Sequence, residues 1–188
     1  MSGSFFKHFF IFIIITILVI CIIIPSIANN YSYVYSNENF VWPLPGYTYI
    51  SSYFGYRRSP TAGASTYHSG IDIPAPSGTS ILAVQSGTVT FASWGAGGGY
   101  TIVVQNDDLG LSFSYCHVSP IFIVNRGDFV SAGSIISTVG PKNVFGINNN
   151  PYKDANGLPT NGATTGSHLH LTIKKDGQAV NPLDYFDL

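Results

Sequence analysis

Residues 80–117 read SILAVQSGTVTFASWGAGGGYTIVVQNDDLGLSFSYCH. Apolar and β-branched side chains are concentrated in four stretches, Ser80–Ser86, Gly87–Ser93, Tyr100–Gln105 and Leu111–His117. Clusters of glycine or aspartate separate the last three of them. Short apolar runs that alternate with polar residues and are bounded by turn residues are typical of β-strands with one buried face. The segment therefore predicts a succession of antiparallel strands.

The same pattern continues on both sides of this segment. Ile71-Asp72-Ile73, Ser134–Val139 and His168–Lys174 also alternate, and no long amphipathic helix is evident in the sequence. About ten short strands of this kind are typical of a sandwich or a barrel-like antiparallel sheet. We therefore predict an all-β fold for residues 42–188.

One segment, residues 141–162, interrupts the strand pattern. It is rich in Asn, Gly and Pro, and it lies between two predicted strands. Irregular segments of this length are uncommon in compact domains and often carry function. A functional loop and a tolerated surface insertion are both compatible with the sequence.

The N-terminal part of the chain has a different composition. Phe9–Ile24 is apolar and uncharged, which as a helix would cover roughly 24 Å of the ~30 Å hydrocarbon core of a membrane. Residues 1–28 are predicted to be a membrane anchor in a hydrophobic helix; a secretory signal peptide cleaved near Ala28 is the alternative. Residues 29–41 are predicted to form a polar tether. Both interpretations place the remaining chain outside the cytoplasm.

Composition limits the function further. Only 9% of the 188 residues are charged and the formal net charge is −1, so there is no basic patch for nucleic acid. The length accommodates one domain after the N-terminal segment. The two cysteines are Cys21, in the apolar run, and Cys116. The domain therefore contains one cysteine and cannot form an internal disulfide.

Four of the five histidines lie in three short motifs. These are His68-Ser69-Gly70-Ile71-Asp72, His117 after Tyr115-Cys116, and His168-Leu169-His170. His168 and His170 would project to the same face of a strand. Histidine and aspartate are ligands of catalytic zinc sites, which use three protein groups and keep one position open. Structural zinc sites favour cysteine, so the motifs predict an open zinc site.

Elimination constrains the proton-handling groups. Glu38, in the predicted tether, is the only glutamate in the chain, and no HExxH motif is present. Proton transfer at the predicted metal site is therefore assigned to histidines, whose pKa near 6.5 suits general acid–base catalysis. Zinc lowers the pKa of a coordinated water to about 7 and polarises a carbonyl group. These groups are sufficient for amide hydrolysis without a covalent intermediate.

The motifs and their order resemble the M23 family of zinc metallopeptidases, the lysostaphin-type or LytM-like peptidoglycan endopeptidases. The resemblance extends from about Pro43 to Tyr185. The matching segments are Ser52–Arg57, His68–Gly78, Ala83–Val89, Tyr115–His117, Thr164–Leu171 and Asn181–Leu183. Ser167 stands where the family usually has proline, and the 141–162 segment stands where it has a short glycine-rich turn.

The resemblance implies a role for each site residue. It makes His68, Asp72 and His170 the ligands of one Zn²⁺ per chain. His117 and His168 become the histidines that orient or deprotonate water and stabilise the transition state. All five positions are filled, which disfavours a catalytically inactive member of the family.

The resemblance also implies the substrate and the surroundings. We expect a monomeric metalloendopeptidase that acts on bacterial peptidoglycan peptides and contacts the membrane through its N-terminal segment. A wall-binding or scaffold module with little turnover is the alternative, because fold does not fix function. A lipoyl- or biotinyl-type carrier is disfavoured, because no lysine lies between His8 and Pro141.

Overall fold

The computed structural model describes residues 40–187. The hydrophobic helix predicted in residues 1–28 and nearly all of the tether predicted in residues 29–41 lie outside this range. Residues 40–187 contain eleven strands: β1 Gly55–Tyr56, β2 Tyr67–His68, β3 Ile71–Pro74, β4 Ser80–Leu82, β5 Gly87–Trp94, β6 Tyr100–Asn106, β7 Leu111–Cys116, β8 Phe129–Val130, β9 Ile135–Thr138, β10 His168–Lys175 and β11 Gln178–Val180. The helices of the described range are two 3₁₀ turns, Ala96–Gly98 and Pro182–Tyr185. Neither of them is long and apolar enough to span a lipid bilayer.

Seven of the strands form one antiparallel sheet, so the all-β prediction is confirmed. Its order is β11-β10-β7-β6-β5-β8, and β3 pairs with β10 beside β11. Within residues 40–187 the sheet is open rather than closed into a barrel. The two edges do not meet, since β8 pairs only with β5 and contributes two residues. A separate two-stranded sheet pairs β4 with β9.

The core follows from the alternation of the central strands. In β7, Leu111, Phe113 and Tyr115 are buried, while the residues between them are partly exposed. In β10, Leu169 and Leu171 are buried in the same way. These side chains belong to one apolar cluster with buried residues of β4 and β9, among them Ile81 and Ile136. The opposite face of β7 and β10 is thus left free for polar side chains.

The segment after β4 shows why one predicted strand is too long. Ile81–Val84 is apolar throughout, but strand pairing ends at Leu82. Ala83 and Val84 are fully buried without belonging to a strand. Their main-chain N–H groups donate to the Ser134 carbonyl and the Tyr115 hydroxyl. Burial, rather than strand pairing, explains the apolar character of these residues.

Removal of the Tyr115 hydroxyl is expected to destabilise the fold. The oxygen accepts a hydrogen bond of 2.7 Å from the Val84 amide, and both residues are fully buried. Tyr115→Phe leaves that amide without a partner, which lowers the free energy of unfolding by about 1–3 kcal/mol. Urea denaturation measures the change. Tyr56→Phe is the matched control, because Tyr56 is 90% exposed; equal effects of both variants would contradict the argument.

Candidate metal centre

Strand register brings Asp72 and His170 together on the sheet face opposite the core. Asp72 of β3 is directly opposite His170 of β10, and Cys116 of β7 is opposite His170 on the other side. Cross-strand neighbours of this kind have Cβ atoms about 4.5–5.5 Å apart. His168 lies two residues before His170 on the same strand and hence on the same face. The prediction that the His168–His170 pair lies on a strand is confirmed.

His68 reaches the same point through a tight connection. It ends β2, and Ser69-Gly70 leads directly into β3. A methyl group on Gly70 would overlap the carbonyl oxygen of Leu171, so only glycine allows this close approach to β10. The His68 imidazole is 2% exposed, with Nε2 lying 3.1 Å from Asp72 Oδ1.

Three potential ligand atoms converge. His170 Nδ1 lies 2.8 Å from both Asp72 Oδ1 and His68 Nε2, and the possible ligand atoms of these residues lie within 4.8 Å of one another. Zinc bound tetrahedrally by nitrogen and oxygen at about 2.0–2.2 Å requires ligand atoms slightly over 3 Å apart. A small outward movement of the three side chains would satisfy that geometry. The donor set therefore fits zinc.

The hydrogen bonds at the far side of each ring support this fit. His68 Nδ1 lies 2.9 Å from the carbonyl oxygen of Tyr53, which can only accept, so in the neutral ring the lone pair is on Nε2. His170 Nε2 lies 2.9 Å from Thr172 Oγ1, which can accept its proton and leave Nδ1 free. In these tautomers the two imidazoles and the Asp72 carboxylate aim lone pairs at one another. A cation between them removes that repulsion.

Arg57 holds the second oxygen of Asp72. Its Nη1 donates to Asp72 Oδ2 at 3.0 Å and also to the Ser52 hydroxyl. Burial alone would raise the pKa of the Asp72 carboxyl, but the close approach of the His168, His170 and His68 imidazoles holds this pKa well below its usual range. Asp72 is therefore ionised, with Oδ1 close to His68 Nε2 and His170 Nδ1. The sequence did not assign a role to Arg57.

The two remaining histidines flank this centre. His168 Nε2 lies 3.5 Å from Asp72 Oδ1, and the ring centroids of His117 and His168 are 4.6 Å apart. In both rings the Nδ1 atom contacts a main-chain carbonyl oxygen. His168 Nδ1 lies 2.9 Å from the Gly166 oxygen, and His117 Nδ1 lies 2.6 Å from the Asn161 oxygen. A carbonyl oxygen only accepts, so Nδ1 is the donor in both rings, and each Nε2 atom points away from those carbonyls.

His117 is held in an unusual environment. Its φ of 59° lies in the left-handed region, which costs a residue other than glycine about 1–3 kcal/mol and persists where the surroundings impose it. Burial lowers the pKa of His117 to about 3, and the neighbouring imidazoles of His168 and His170 contribute to this shift. The ring is consequently neutral at physiological pH and can accept a proton on Nε2.

The centre opens into a cleft of about 550 Å³. Asp72, His117, His168 and His170 line the cleft, together with residues of two other segments. The first segment lies within residues 51–60 and includes Arg58, and the second is residues 163–167. All five residues predicted for the site thus lie in one place, with His68 buried beneath the cleft.

Thr172 and Asn161, like Arg57, were not predicted from the sequence. Thr172 could have been found, because it lies two residues after His170 on the same face of β10. Asn161 could not, because its contact with His117 joins positions 44 apart in the sequence and follows no period. Cys116 faces this region as well, but burial raises the pKa of its thiol to about 11, so the thiol stays uncharged.

Comparisons with known proteins identify relatives of this chain. The DD-carboxypeptidase/endopeptidase Mpg of Neisseria meningitidis serogroup B is 34% identical over 137 residues, which cover 73% of this chain and 27% of that protein. Stage II sporulation protein Q of Bacillus subtilis is 32% identical over 63% of this chain and 36% of that protein. The chain therefore spans between a quarter and two-fifths of the length of these two relatives.

A solved structure and a family model extend the comparison. The catalytic domain of lysostaphin from Staphylococcus simulans superposes with a TM-score of 0.57 at 26% identity, covering 74% of this chain and 91% of that chain. The model of peptidase family M23 matches residues 66–182, a range that contains His68, Asp72, His117, His168 and His170. With these residues gathered in one cleft of an antiparallel all-β domain, the chain belongs to peptidase family M23.

Proposed function

We propose that the chain is a zinc-dependent endopeptidase that hydrolyses amide bonds in the peptides of bacterial peptidoglycan. The observation that carries the proposal is the convergence of His68, Asp72 and His170 at one point, with His117 and His168 beside it in an open cleft. The names of the Neisseria relative and of lysostaphin, both peptidases, support the same class of reaction. The chain would act outside the cytoplasm as a monomer, with residues 1–28 as membrane anchor and residues 42–188 as catalytic domain.

The four histidines and Asp72 each have a role in the proposed reaction. His68 Nε2, Asp72 Oδ1 and His170 Nδ1 would hold one Zn²⁺, which supplies Lewis acidity to the carbonyl group and acidity to a water molecule. His117 Nε2 takes the proton of the water that attacks the carbonyl carbon. His168 shares with His117 the task of orienting the attacking water and stabilising the transition state. The proton then passes to the leaving amine nitrogen as the C–N bond breaks, which balances the hydrolysis.

Arg57 and Asp72 have supporting tasks in this proposal. Arg57 keeps Asp72 oriented through Oδ2, so Oδ1 remains available as a ligand. The tautomers of the four histidines are fixed by acceptors of the chain itself, which reduces the reorganisation needed during the reaction.

The proposal is tested with the purified full chain. Loaded with zinc, it should lower the turbidity of a bacterial peptidoglycan suspension, and a chelator should stop the reaction until zinc is restored. Mass analysis of defined muropeptides after digestion would identify the bond that is cut. Intact muropeptides across several wall chemistries, with one zinc bound per chain, would contradict the proposed hydrolysis. A zinc-free chain that still binds peptidoglycan would instead support a scaffold module.

Arg58 indicates the charge of the substrate. It lines the cleft and forms no ion pair with any acidic side chain of residues 40–187, whereas Arg57 is paired with Asp72. Asp72 is the only acidic residue among those that line the cleft, and three imidazoles surround it. A cleft with a free guanidinium and a bound divalent cation favours a substrate that carries a carboxylate.

Loss of Arg58 is accordingly expected to reduce selectivity for anionic peptides. Wild-type protein should cleave a stem-peptide fragment with a free carboxylate about 3- to 10-fold more efficiently than its carboxamide, the range of a partly exposed Arg–carboxylate pair. In Arg58→Ala the two values of kcat/KM should become equal. Arg126→Ala, which removes the same charge outside the cleft, should retain the preference. An unchanged preference in Arg58→Ala would refute the assignment.

A further inference from the structure

The role of residues 141–162 follows from how the two ends of this segment contact His117. Directly before the segment, the amide of Gly140 donates to the His117 carbonyl oxygen at 2.9 Å. At the end, the Asn161 carbonyl accepts from His117 Nδ1 at 2.6 Å. The main chain and the ring of His117 are therefore both hydrogen-bonded to residues at or next to the ends of this segment.

Asn161 is the centre of these contacts. It is fully buried, and each of its polar groups has a partner. Its side-chain Oδ1 accepts from the Tyr100 amide at 2.8 Å, and Nδ2 donates to the Val118 carbonyl at 3.0 Å. Its own amide donates to the Lys142 carbonyl at 2.9 Å. The side chain thus ties the start of β6 to the residue after His117.

The packing around Asn161 leaves no alternative position. A methyl group on Gly99 would overlap the carbonyl oxygen and Oδ1 of Asn161. A methyl group on Gly140 would lie 2.5 Å from Nδ2. Asn161 can occupy this position because Gly99 and Gly140 have no side chains, and any side chain at either glycine would displace it.

The rest of the segment is fixed independently of Asn161. Lys142 and Asp154 form an ion pair of 3.2 Å inside it. The ring of Tyr152 lies against Gly63 of the β1–β2 connection, where a methyl group would come within 2.8 Å of Cε1. These contacts hold the segment, and with it Asn161, in a fixed position.

We propose that Asn161 is a positioning residue for His117, holding the imidazole with its proton on Nδ1 and with an unprotonated Nε2 facing the cleft. A carbonyl oxygen accepts and never donates, so the contact excludes the other neutral tautomer. The side-chain bonds of Asn161 fix where that carbonyl stands. The inference rests on the proposed function only for its kinetic readout, because the tautomer is measurable without turnover.

The first test measures the tautomer in the wild-type full chain. Nitrogen-15 NMR of histidine-labelled, zinc-loaded protein distinguishes a protonated ring nitrogen from an unprotonated one, and comparison with His117→Ala assigns the resonances. The expected result is a His117 ring protonated at Nδ1 only. A ring protonated at Nε2 would overturn the inference, whether or not the protein hydrolyses any peptide.

The second test replaces Asn161. In Asn161→Ala, the main-chain carbonyl of residue 161 loses the two side-chain hydrogen bonds that hold it in place. We expect kcat to fall about 10- to 100-fold, comparable to the effect of disturbing an outer hydrogen bond of a metal site. KM and zinc content should stay unchanged, and the His117 resonances should show a mixture of tautomers. Asn161→Asp, which keeps the acceptor for the Tyr100 amide, should restore part of kcat. If Asn161→Ala does not fold, Asn161→Asp alone decides, with reduced kcat at unchanged KM as the expected result.

Asn143→Ala is the matched control. Asn143 lies in the same segment and donates to Asp154 Oδ2 and to the Pro159 carbonyl, both at 3.2 Å, without contacting His117. Its loss should destabilise the segment while leaving kcat and the His117 tautomer close to wild type. Equal losses of kcat in both variants, or a wild-type kcat in folded Asn161→Ala, would show that Asn161 is merely structural.

Discussion

Replacement of His170 by alanine is expected to leave a folded protein that neither retains zinc nor hydrolyses peptides. His170 Nδ1 is the atom that lies 2.8 Å from each of the other two potential ligands, so its loss opens the site most. Two remaining ligands cannot form the three-point site that zinc requires. Zinc affinity should fall by more than about 100-fold, beyond the loss caused by an outer-sphere change.

His168→Ala is the matched control for this variant. Both histidines lie on β10 and face the same side of the sheet, but only His170 belongs to the predicted ligand set. Metal analysis after dialysis should find one zinc per chain in His168→Ala and none in His170→Ala, with both variants folded by circular dichroism. Retention of zinc in His170→Ala would remove this residue from the ligand set.

The strands were predictable because their signal is local. In β7 and β10 the alternation of buried and exposed residues is visible in the sequence, and the predicted ends differ from the observed ones by a single residue. The open sheet was not predictable, since which strand pairs with which depends on contacts between distant segments. The bulge between Val89 and Phe91 in β5 likewise leaves no trace in the apolar pattern.

The site was predictable where its side chains are of types that bind metals or transfer protons and are uncommon in this chain. Four histidines and Asp72 in short motifs indicated one zinc site, and the structure gathers them in one place. The supporting groups are ordinary by comparison. Tyr53 and Asn161 act through main-chain carbonyl groups, which every residue possesses, and so no residue type could reveal them. Only the folded chain identifies such acceptors.

A second large effect is expected from His117→Ala, which should keep zinc and lose hydrolysis. His117 supplies no atom to the convergent set of His68, Asp72 and His170, so removal of its ring leaves that set intact. The neutral, unprotonated Nε2 would be missing, and the attacking water would lose its proton acceptor. Loss of a general acid–base group typically lowers kcat by about 10²- to 10⁴-fold. Kinetics on a defined muropeptide and metal analysis of the same sample measure both quantities.

The neighbouring residue provides the control for this experiment. Cys116→Ala removes a side chain that is adjacent in sequence and packs near Gly98, but a thiol that stays protonated has no task in the proposed hydrolysis. Its kcat should remain close to wild type. Loss of zinc from His117→Ala would place His117 among the ligands, whereas undiminished kcat in a zinc-loaded His117→Ala would assign proton transfer to His168 alone. Because the two outcomes differ in metal content, one pair of measurements separates a ligand from a base.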